Sequence, residues 1–127
     1  MPLLRAYRGL TSAGLPIINL LLQRRVKQGK ENVSRIEERR GLASEKRPDG
    51  PLLWIHAASL GETQSILSLI DRLSRERPNL NILITTGTVT SADLIRDRKP
   101  KKTIHQFIPV DRITWVRHFL NHWKPDL

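Results

Sequence analysis

Between residues 51 and 127, short apolar segments alternate with amphipathic ones, and this alternation constrains the fold more than any other feature. The apolar segments predict strands at Leu52 to Ala57, Asn81 to Thr86 and Ile104 to Val110. Strands separated by helices form right-handed crossovers, so they lie parallel in one sheet covered by the helices. The pattern therefore predicts an α/β fold with a parallel sheet and flanking helices.

The intervening segments predict three helices. The first spans Glu62 to Arg77, the second Thr88 to Asp97 with Thr90 or Ser91 as its N-cap, and the third follows Asp111 as its N-cap. The predicted buried stripe of the third helix consists of Trp115, Val116, Phe119, Leu120 and Trp123. Residues 124–127 are typical of a turn and the start of a fourth strand, so we expect residues 51–127 to be an incomplete domain.

Residues 1–30 differ from the rest of the chain. The largely uncharged segment from Leu10 to Leu22 is shorter than the roughly 20 residues of a membrane-spanning helix and contains Pro16. No small-residue cleavage pattern follows, which argues against a signal peptide. We expect an amphipathic helix at an anionic membrane surface, with a helix packed on the protein's own body as the alternative. The predicted membrane contacts are Arg5, Arg8, Arg24, Arg25 and Lys27.

Residues 31–50 predict a polar helix that ends at Gly41, followed by a linker. The chain has no cysteine, which excludes structural disulfides and thiolate metal sites. Its formal net charge of +10 favours a polyanionic partner such as nucleic acid, anionic lipid or phosphorylated sugar, and half of its 22 Lys and Arg residues lie in residues 1–50. A basic nucleic-acid-binding module is therefore one alternative, although its few aromatic residues suit a helix stripe better than base stacking.

The first predicted strand ends in Ser59-Leu60-Gly61-Glu62, where the first helix begins. Ligands of open α/β sheets bind at the carboxyl ends of the strands, so Glu62, Ser59 and Gly61 are candidate site residues. Ser-x-x-Glu is also the spacing of a capping box, which leaves a purely structural role open. After the second strand, the small and hydroxyl-rich loop Thr86, Gly87 and Thr88 is a candidate for binding an anion, or is a plain tight turn.

The histidines do not predict a metal site. His118 and His122 are four residues apart on the third predicted helix, but no third ligand of a suitable type lies nearby in the sequence. His56 and His105 lie in predicted strands, where hydrogen-bonded core histidines are common.

Four segments in order resemble the amino-terminal domain of the 3-deoxy-D-manno-octulosonic acid (Kdo) transferases. They are Ala58–Thr63, Ile84–Thr88, Phe107–Asp111 and Trp123–Asp126, with a looser match at Glu37–Gly41. The resemblance implies the incomplete amino-terminal half of a GT-B-type glycosyltransferase with two Rossmann-like domains. It also implies an inverting enzyme that transfers Kdo from CMP-Kdo to lipid IVA, the lipid A precursor, in lipopolysaccharide core synthesis.

The resemblance assigns Glu62 as the general base on the acceptor hydroxyl. It further implies a short membrane-associating helix and a location at the cytoplasmic face of the bacterial inner membrane. Neither a metal at the reaction centre nor a cofactor is implied, since CMP-Kdo is a substrate. The sequence does not include the carboxyl-terminal donor domain that the resemblance implies, so we expect this chain alone to be inactive. With a lipid-borne sugar as its implied acceptor, we expect no nucleic-acid partner. A two-domain glycosyltransferase with a different acceptor is the remaining alternative.

Overall fold

The computed structural model describes residues 2, 3, 5, 14–98 and 100–127. These residues confirm an α/β arrangement in which helices flank a parallel sheet. In chain order the elements are α1 (Leu15–Lys27), a 3-10 helix (Val33–Arg40), β1 (Leu52–Ala57), α2 (Leu60–Glu76), β2 (Asn81–Thr86), α3 (Val89–Arg98), β3 (Thr103–Phe107) and α4 (Ile113–Trp123).

The sheet has the strand order β1-β2-β3, and both pairs of neighbours are parallel. The central strand β2 is buried from Ile82 to Thr86, as expected for a strand covered on both faces. The chain returns to the other edge of β1 after α4. There the Asp126 N–H donates to the Leu52 carbonyl at 2.9 Å and the Trp54 N–H donates to the Leu127 carbonyl at 3.0 Å. Residues 126 and 127 therefore lie where a fourth strand would begin.

The core has two parts, one on each face of the sheet. On one face, α2 and α3 bury an aliphatic cluster of Leu67, Ile70, Ile82, Ile84 and Ile95. On the other face, α4 buries a cluster of Leu52, Leu83, Phe119 and Trp123, with Trp54 packed against it. Each fully buried aliphatic or aromatic side chain contributes about 1.5–3 kcal/mol, so this double-sided packing holds the strand ends in place.

The predicted polar helix forms as the 3-10 helix, which ends at Gly41 in the left-handed conformation (φ 80°). A Cβ at this position would lie 1.9 Å from the carbonyl oxygen of Trp115, so the 3-10 helix packs directly on the start of α4. This contact places the 3-10 helix beside β3, whose outer edge it covers.

Three expectations about the third strand and its helix are wrong. The strand ends at Phe107 and not at Val110, because the Val110 N–H donates to the Arg39 carbonyl outside the sheet. Asp111 is not the N-cap of α4: the Arg112 N–H donates to the Val110 carbonyl at 2.7 Å, which makes Asp111 the centre of a tight turn and Arg112 the cap residue. Leu120 is 40% exposed, so it lies outside the buried stripe.

Two further helix starts differ from the prediction: α2 begins at Leu60 and not at Glu62, and α3 begins at Val89 and not at Thr88. The N-cap of α3 is Thr88, whose Oγ1 accepts a hydrogen bond from the Ser91 N–H at 3.2 Å, and not Thr90 or Ser91. In the amino-terminal segment, Pro16 lies in the first turn of α1, where a missing N–H costs no intrahelical hydrogen bond. None of the helices in the described part of the chain is long and apolar enough to cross a bilayer.

Candidate functional site

The predicted site loops leave the sheet side by side. Ala57 pairs with Thr86, and Thr86 pairs with Phe107, so all three strands end at one level. Neighbouring strands are about 4.8 Å apart, which places the loops that follow them next to one another at the carboxyl edge. Ser59 ends the first of these loops, and Gly61 and Glu62 follow it in the first turn of α2, whereas Gly87 and Thr88 form the second loop. The structure therefore brings the predicted residues together.

Glu62 is exposed at the first turn of α2, and its carboxylate is anchored by the backbone. The Ala58 N–H donates to Glu62 Oε2 at 2.6 Å, and the Glu62 N–H donates to Ser59 Oγ at 3.1 Å. This is a variant of the capping box in which the glutamate reaches the residue before the N-cap. Among the described residues, Oε1 has no hydrogen-bond partner, so one oxygen is held in place while the other faces the open edge.

The surroundings of Glu62 leave room for a ligand. Ser59 and Gly61 are both exposed, and a Cβ added to Gly61 would meet nothing closer than Ser59 Oγ at 4.0 Å. The amino-terminal turn of α2 adds partial positive charge from its N–H groups. The arrangement can therefore receive a polar group at a backbone-lined surface beside a fixed carboxylate.

The second loop has a buried half and an exposed half. Thr86 is fully buried, and its Oγ1 lies 2.8 Å from His105 Nε2. Thr88 is exposed, and its hydroxyl caps α3. Thr86 therefore lies behind the loop surface, and Gly87 and Thr88 form the part that a ligand can reach.

The predicted membrane contacts lie mainly in the last turn of α1. Arg24 and Lys27 are exposed there, and Arg5 is exposed as well. Arg25 is engaged by the buried carboxylate of Glu31, at 2.7 Å from Nε to Oε1, so its charge is already compensated. Arg8 lies outside the described residues. On α1, an exposed apolar face at helical spacing is formed by Ile17, Leu20 and Leu21, which are 64%, 63% and 52% exposed.

Sequence reasoning missed a buried ionic network between the 3-10 helix and β3. Glu38, whose side chain is 2% exposed, accepts from Arg35 Nε at 2.8 Å and from Arg35 Nη2 at 2.7 Å. It also accepts from the Phe107 N–H at 2.9 Å and from the Ser44 hydroxyl. Arg35 Nη2 in turn donates to the His105 carbonyl at 2.9 Å. These side chains form hydrogen bonds with backbone groups at the outer edge of β3, where a further strand would otherwise pair.

Burial changes the titration of two members of this region. Burial, with a smaller contribution from the positive charge of Arg35, lowers the pKa of His105 to about 3, so the ring is neutral at physiological pH. Burial also lowers the pKa of Arg39; Glu31 opposes this shift and Arg25 adds to it. Arg39 nevertheless stays protonated, as guanidinium groups in proteins do, and donates to the Ile108 carbonyl.

A cavity of about 490 Å³ opens between α3, β3 and the 3-10 helix. Arg35, Glu38 and His105 line it, whereas Glu62 does not, so it is separate from the site around Glu62. In the described part of the chain, no three His, Asp or Glu side chains lie close enough to hold a metal ion. His122 Nε2 instead lies 2.7 Å from the Glu45 carbonyl.

Comparison with known proteins identifies the family. The family model described as 3-deoxy-D-manno-octulosonic-acid transferase (kdotransferase) matches residues 34–127. The chain belongs to the Kdo transferase family. This match includes the 3-10 helix from its second residue, the strands β1 to β3 and the three loops at the carboxyl edge.

Curated relatives agree with this family. A 3-deoxy-D-manno-octulosonic acid transferase of Rickettsia bellii is 38% identical over 125 residues, which cover 98% of this chain and 30% of that protein. A probable mitochondrial 3-deoxy-D-manno-octulosonic acid transferase of Arabidopsis thaliana is 40% identical over 122 residues, covering 96% of this chain and 27% of that protein. A Haemophilus influenzae 3-deoxy-D-manno-octulosonic acid transferase is 32% identical over 96 residues, covering 73% and 22%.

The chain thus spans less than a third of the length of these Kdo transferases. No solved structure matches it significantly. The range matched by the Kdo transferase family model includes both candidate site segments, Ser59–Glu62 and Thr86–Thr88.

Proposed function

We propose that this chain is the acceptor-side part of a GT-B-type glycosyltransferase that moves Kdo from CMP-Kdo to lipid IVA with inversion. The observation that carries the proposal is the exposed carboxylate of Glu62, anchored by the Ala58 N–H at the carboxyl edge of a parallel sheet. Membership of the Kdo transferase family supports the reaction type. The donor site is expected in a carboxyl-terminal domain of the same enzyme.

In this reaction Glu62 is the general base. The acceptor hydroxyl attacks the anomeric carbon of Kdo, the bond from that carbon to the CMP phosphate breaks, and the hydroxyl proton passes to Glu62 Oε1. A base in this role must lie within hydrogen-bond reach of the proton that it removes, and a fixed carboxylate with a free outer oxygen meets that need. A single displacement of this kind inverts the anomeric centre without a covalent intermediate, and the proposal calls for no metal or cofactor.

The acceptor is anionic, and the site loops offer neutralising groups. The amino termini of α2 and α3 both lie at the carboxyl edge, where unpaired N–H groups favour phosphate. We propose that Ser59, Gly61, Gly87 and Thr88 contact the phosphorylated sugar, with Thr86 supporting them from behind. The net charge of +10 supports an anionic substrate. A nucleic-acid ligand is disfavoured because Trp115, Phe119 and Trp123 are buried and cannot stack on bases.

Since the proposed acceptor is held in a membrane, we propose that α1 lies on the cytoplasmic face of the inner membrane. Its exposed face of Ile17, Leu20 and Leu21 would enter the interface, and Arg24 and Lys27 would contact anionic headgroups.

Vesicle binding tests this location. Reversing the charge of both Arg24 and Lys27 should weaken binding to phosphatidylglycerol vesicles by about 25-fold or more, at about 1 kcal/mol per basic residue. Arg75→Glu with Arg77→Glu is the charge-matched control at exposed positions away from α1. Equal losses in the two double variants would contradict a specific role for α1, and the loss should shrink in high salt.

Transfer is tested with a chimera in which this chain replaces the matching residues of the Rickettsia bellii relative. We expect Kdo transfer from CMP-Kdo to lipid IVA, detected by mass spectrometry of the lipid product. Transfer to another acceptor but not to lipid IVA would favour a glycosyltransferase of different specificity. Absence of transfer by a folded chimera that binds CMP-Kdo would refute the proposed function.

A further inference from the structure

A chain of hydrogen bonds runs from the 3-10 helix through the interior to the second loop. Arg35 Nη2 lies 3.0 Å from His105 Nδ1, and His105 Nε2 lies 2.8 Å from Thr86 Oγ1. The Thr86 hydroxyl then reaches the Thr88 carbonyl at 3.5 Å, and this carbonyl also accepts the Ala92 N–H, the first intrahelical hydrogen bond of α3. These hydrogen bonds therefore link the 3-10 helix, through the His105 ring and then Thr86, to the start of α3.

The donors and acceptors in this chain have one consistent assignment. A guanidinium group has no acceptor, so Nδ1 of His105 must accept from Arg35. One hydrogen of Nη2 is donated to Glu38, and the other is shared between His105 Nδ1 and the His105 carbonyl. The ring proton is then on Nε2 and is donated to Thr86 Oγ1. The Thr86 hydroxyl proton is left to the Thr88 carbonyl. The ring is thus held in one neutral tautomer by the hydrogen bond at its other nitrogen.

The side chains at the start of this series of hydrogen bonds are rigidly held. Arg35 is fixed by two hydrogen bonds to Glu38, and its guanidinium carbon lies 4.7 Å from the centre of the Phe107 ring. Glu38 is fixed by the Phe107 N–H. Because Thr86 is fully buried, its hydroxyl has no access to water as a substitute partner.

We propose that His105 is a positioning residue: through Thr86 it fixes the Gly87–Thr88 loop in the conformation that binds the acceptor. The identity of the ligand rests on the function proposed above, whereas the positioning of the loop does not. His105 touches no substrate and acts only through Thr86. Its effect should appear in binding of the acceptor and not in binding of the donor.

The first test uses nuclear magnetic resonance of the 127-residue chain. Long-range 1H–15N spectra should show His105 with its proton on Nε2 at pH 7. Thr86→Val removes the hydroxyl. It should speed amide exchange at Ser91, whose N–H donates to Thr88 Oγ1 at 3.2 Å, at least about fivefold, the factor for one hydrogen bond of about 1 kcal/mol. Thr86→Ser should restore slow exchange.

Thr85→Val is the matched control, since Thr85 is equally buried but its hydroxyl contacts Trp54 and His56 on the opposite face. It should leave exchange at Ser91 unchanged. A proton on Nδ1, or equal effects of the two valine variants, would overturn the positioning role whatever the protein's reaction is.

The second test uses the chimera described above. Thr86→Val should raise the KM for lipid IVA about fivefold, while the KM for CMP-Kdo and kcat stay within about twofold of wild type. Thr86→Ser should recover the wild-type KM. An unchanged KM for the acceptor, or equal rises in both KM values, would overturn the role in acceptor binding. An inactive but folded wild-type chimera would instead refute the proposed function, and the first test would still decide whether His105 positions the loop.

Discussion

Acid should destabilise this protein well before its carboxylates titrate, because of His105. Burial and the charge of Arg35 lower the pKa of His105 to about 3, whereas an unfolded histidine titrates near 6.5. The unfolded state therefore binds the proton first. The stability that the neutral ring provides is complete above about pH 6.5 and is lost as the pH falls below that value toward 3. Linkage gives a loss of about 2 kcal/mol between pH 7 and pH 5.

Urea unfolding of the wild type and of His105→Gln at pH 7 and pH 5 measures this loss. Glutamine cannot gain a proton in this range, so the variant should lose about 2 kcal/mol less than the wild type between the two pH values. Both proteins share the charged side chains that line the cavity beside His105, which are Arg35, Glu38, Glu45, Asp93 and Arg96. His118→Gln, at an exposed position on α4, is the composition-matched control and should keep the full decline. Equal pH dependence in wild type and His105→Gln would refute the reasoning.

Two packing predictions follow from single contacts and are checked by urea unfolding at pH 7. Gly41→Ala should cost about 3 kcal/mol, because its Cβ would overlap the Trp115 carbonyl at a positive φ. Gly29→Ala, at φ 71° with no atom within 4 Å, should cost only about 1 kcal/mol, and equal costs would contradict the packing of the 3-10 helix on α4. Trp123→Phe should cost about 1–3 kcal/mol by leaving buried Gln106 Oε1 without its donor at 2.6 Å, and a neutral change would mean that water replaces the indole N–H.

Local patterns in the sequence are sufficient to place β1 and β2. Both strands have the predicted bounds, because their apolar runs are bordered by Gly, Pro and Asn residues that disfavour continuation. The end of β3 was not predictable in the same way. Ile108 continues the apolar run and its N–H still bonds the Thr86 carbonyl, but Val110 is drawn away by Arg39, a residue 71 positions earlier in the chain.

The candidate site likewise has local contacts that the sequence predicts and long-range contacts that it does not. The contact of Ser59 with Glu62 was predictable from a spacing of three residues, since capping is a local interaction. The network of Arg35, Glu38 and His105 was not, because Arg35 and Glu38 lie about 70 residues before their partners His105 and Phe107 and only the folded chain brings them together. The charge run at 37–40 was visible in the sequence, but nothing in it shows that Glu38 is buried against β3.

The two roles of Glu62, capping and catalysis, can be separated by matched variants of the chimera. Glu62→Gln keeps an oxygen that can accept the Ala58 N–H but cannot remove a proton. Ser59→Ala leaves the carboxylate in place but removes the hydroxyl that caps α2, at a cost of about 1 kcal/mol in stability.

The most direct test of the account is therefore the single-turnover rate of Kdo transfer by Glu62→Gln, measured with saturating CMP-Kdo and lipid IVA. We predict a fall of at least about 100-fold with unfolding free energy close to that of the wild type. Because the acceptor is saturating, a weaker contact with Ser59 does not limit this rate, so Ser59→Ala should stay within about threefold of wild type. A Glu62→Gln rate close to the wild-type value would contradict the assignment of Glu62 as the base.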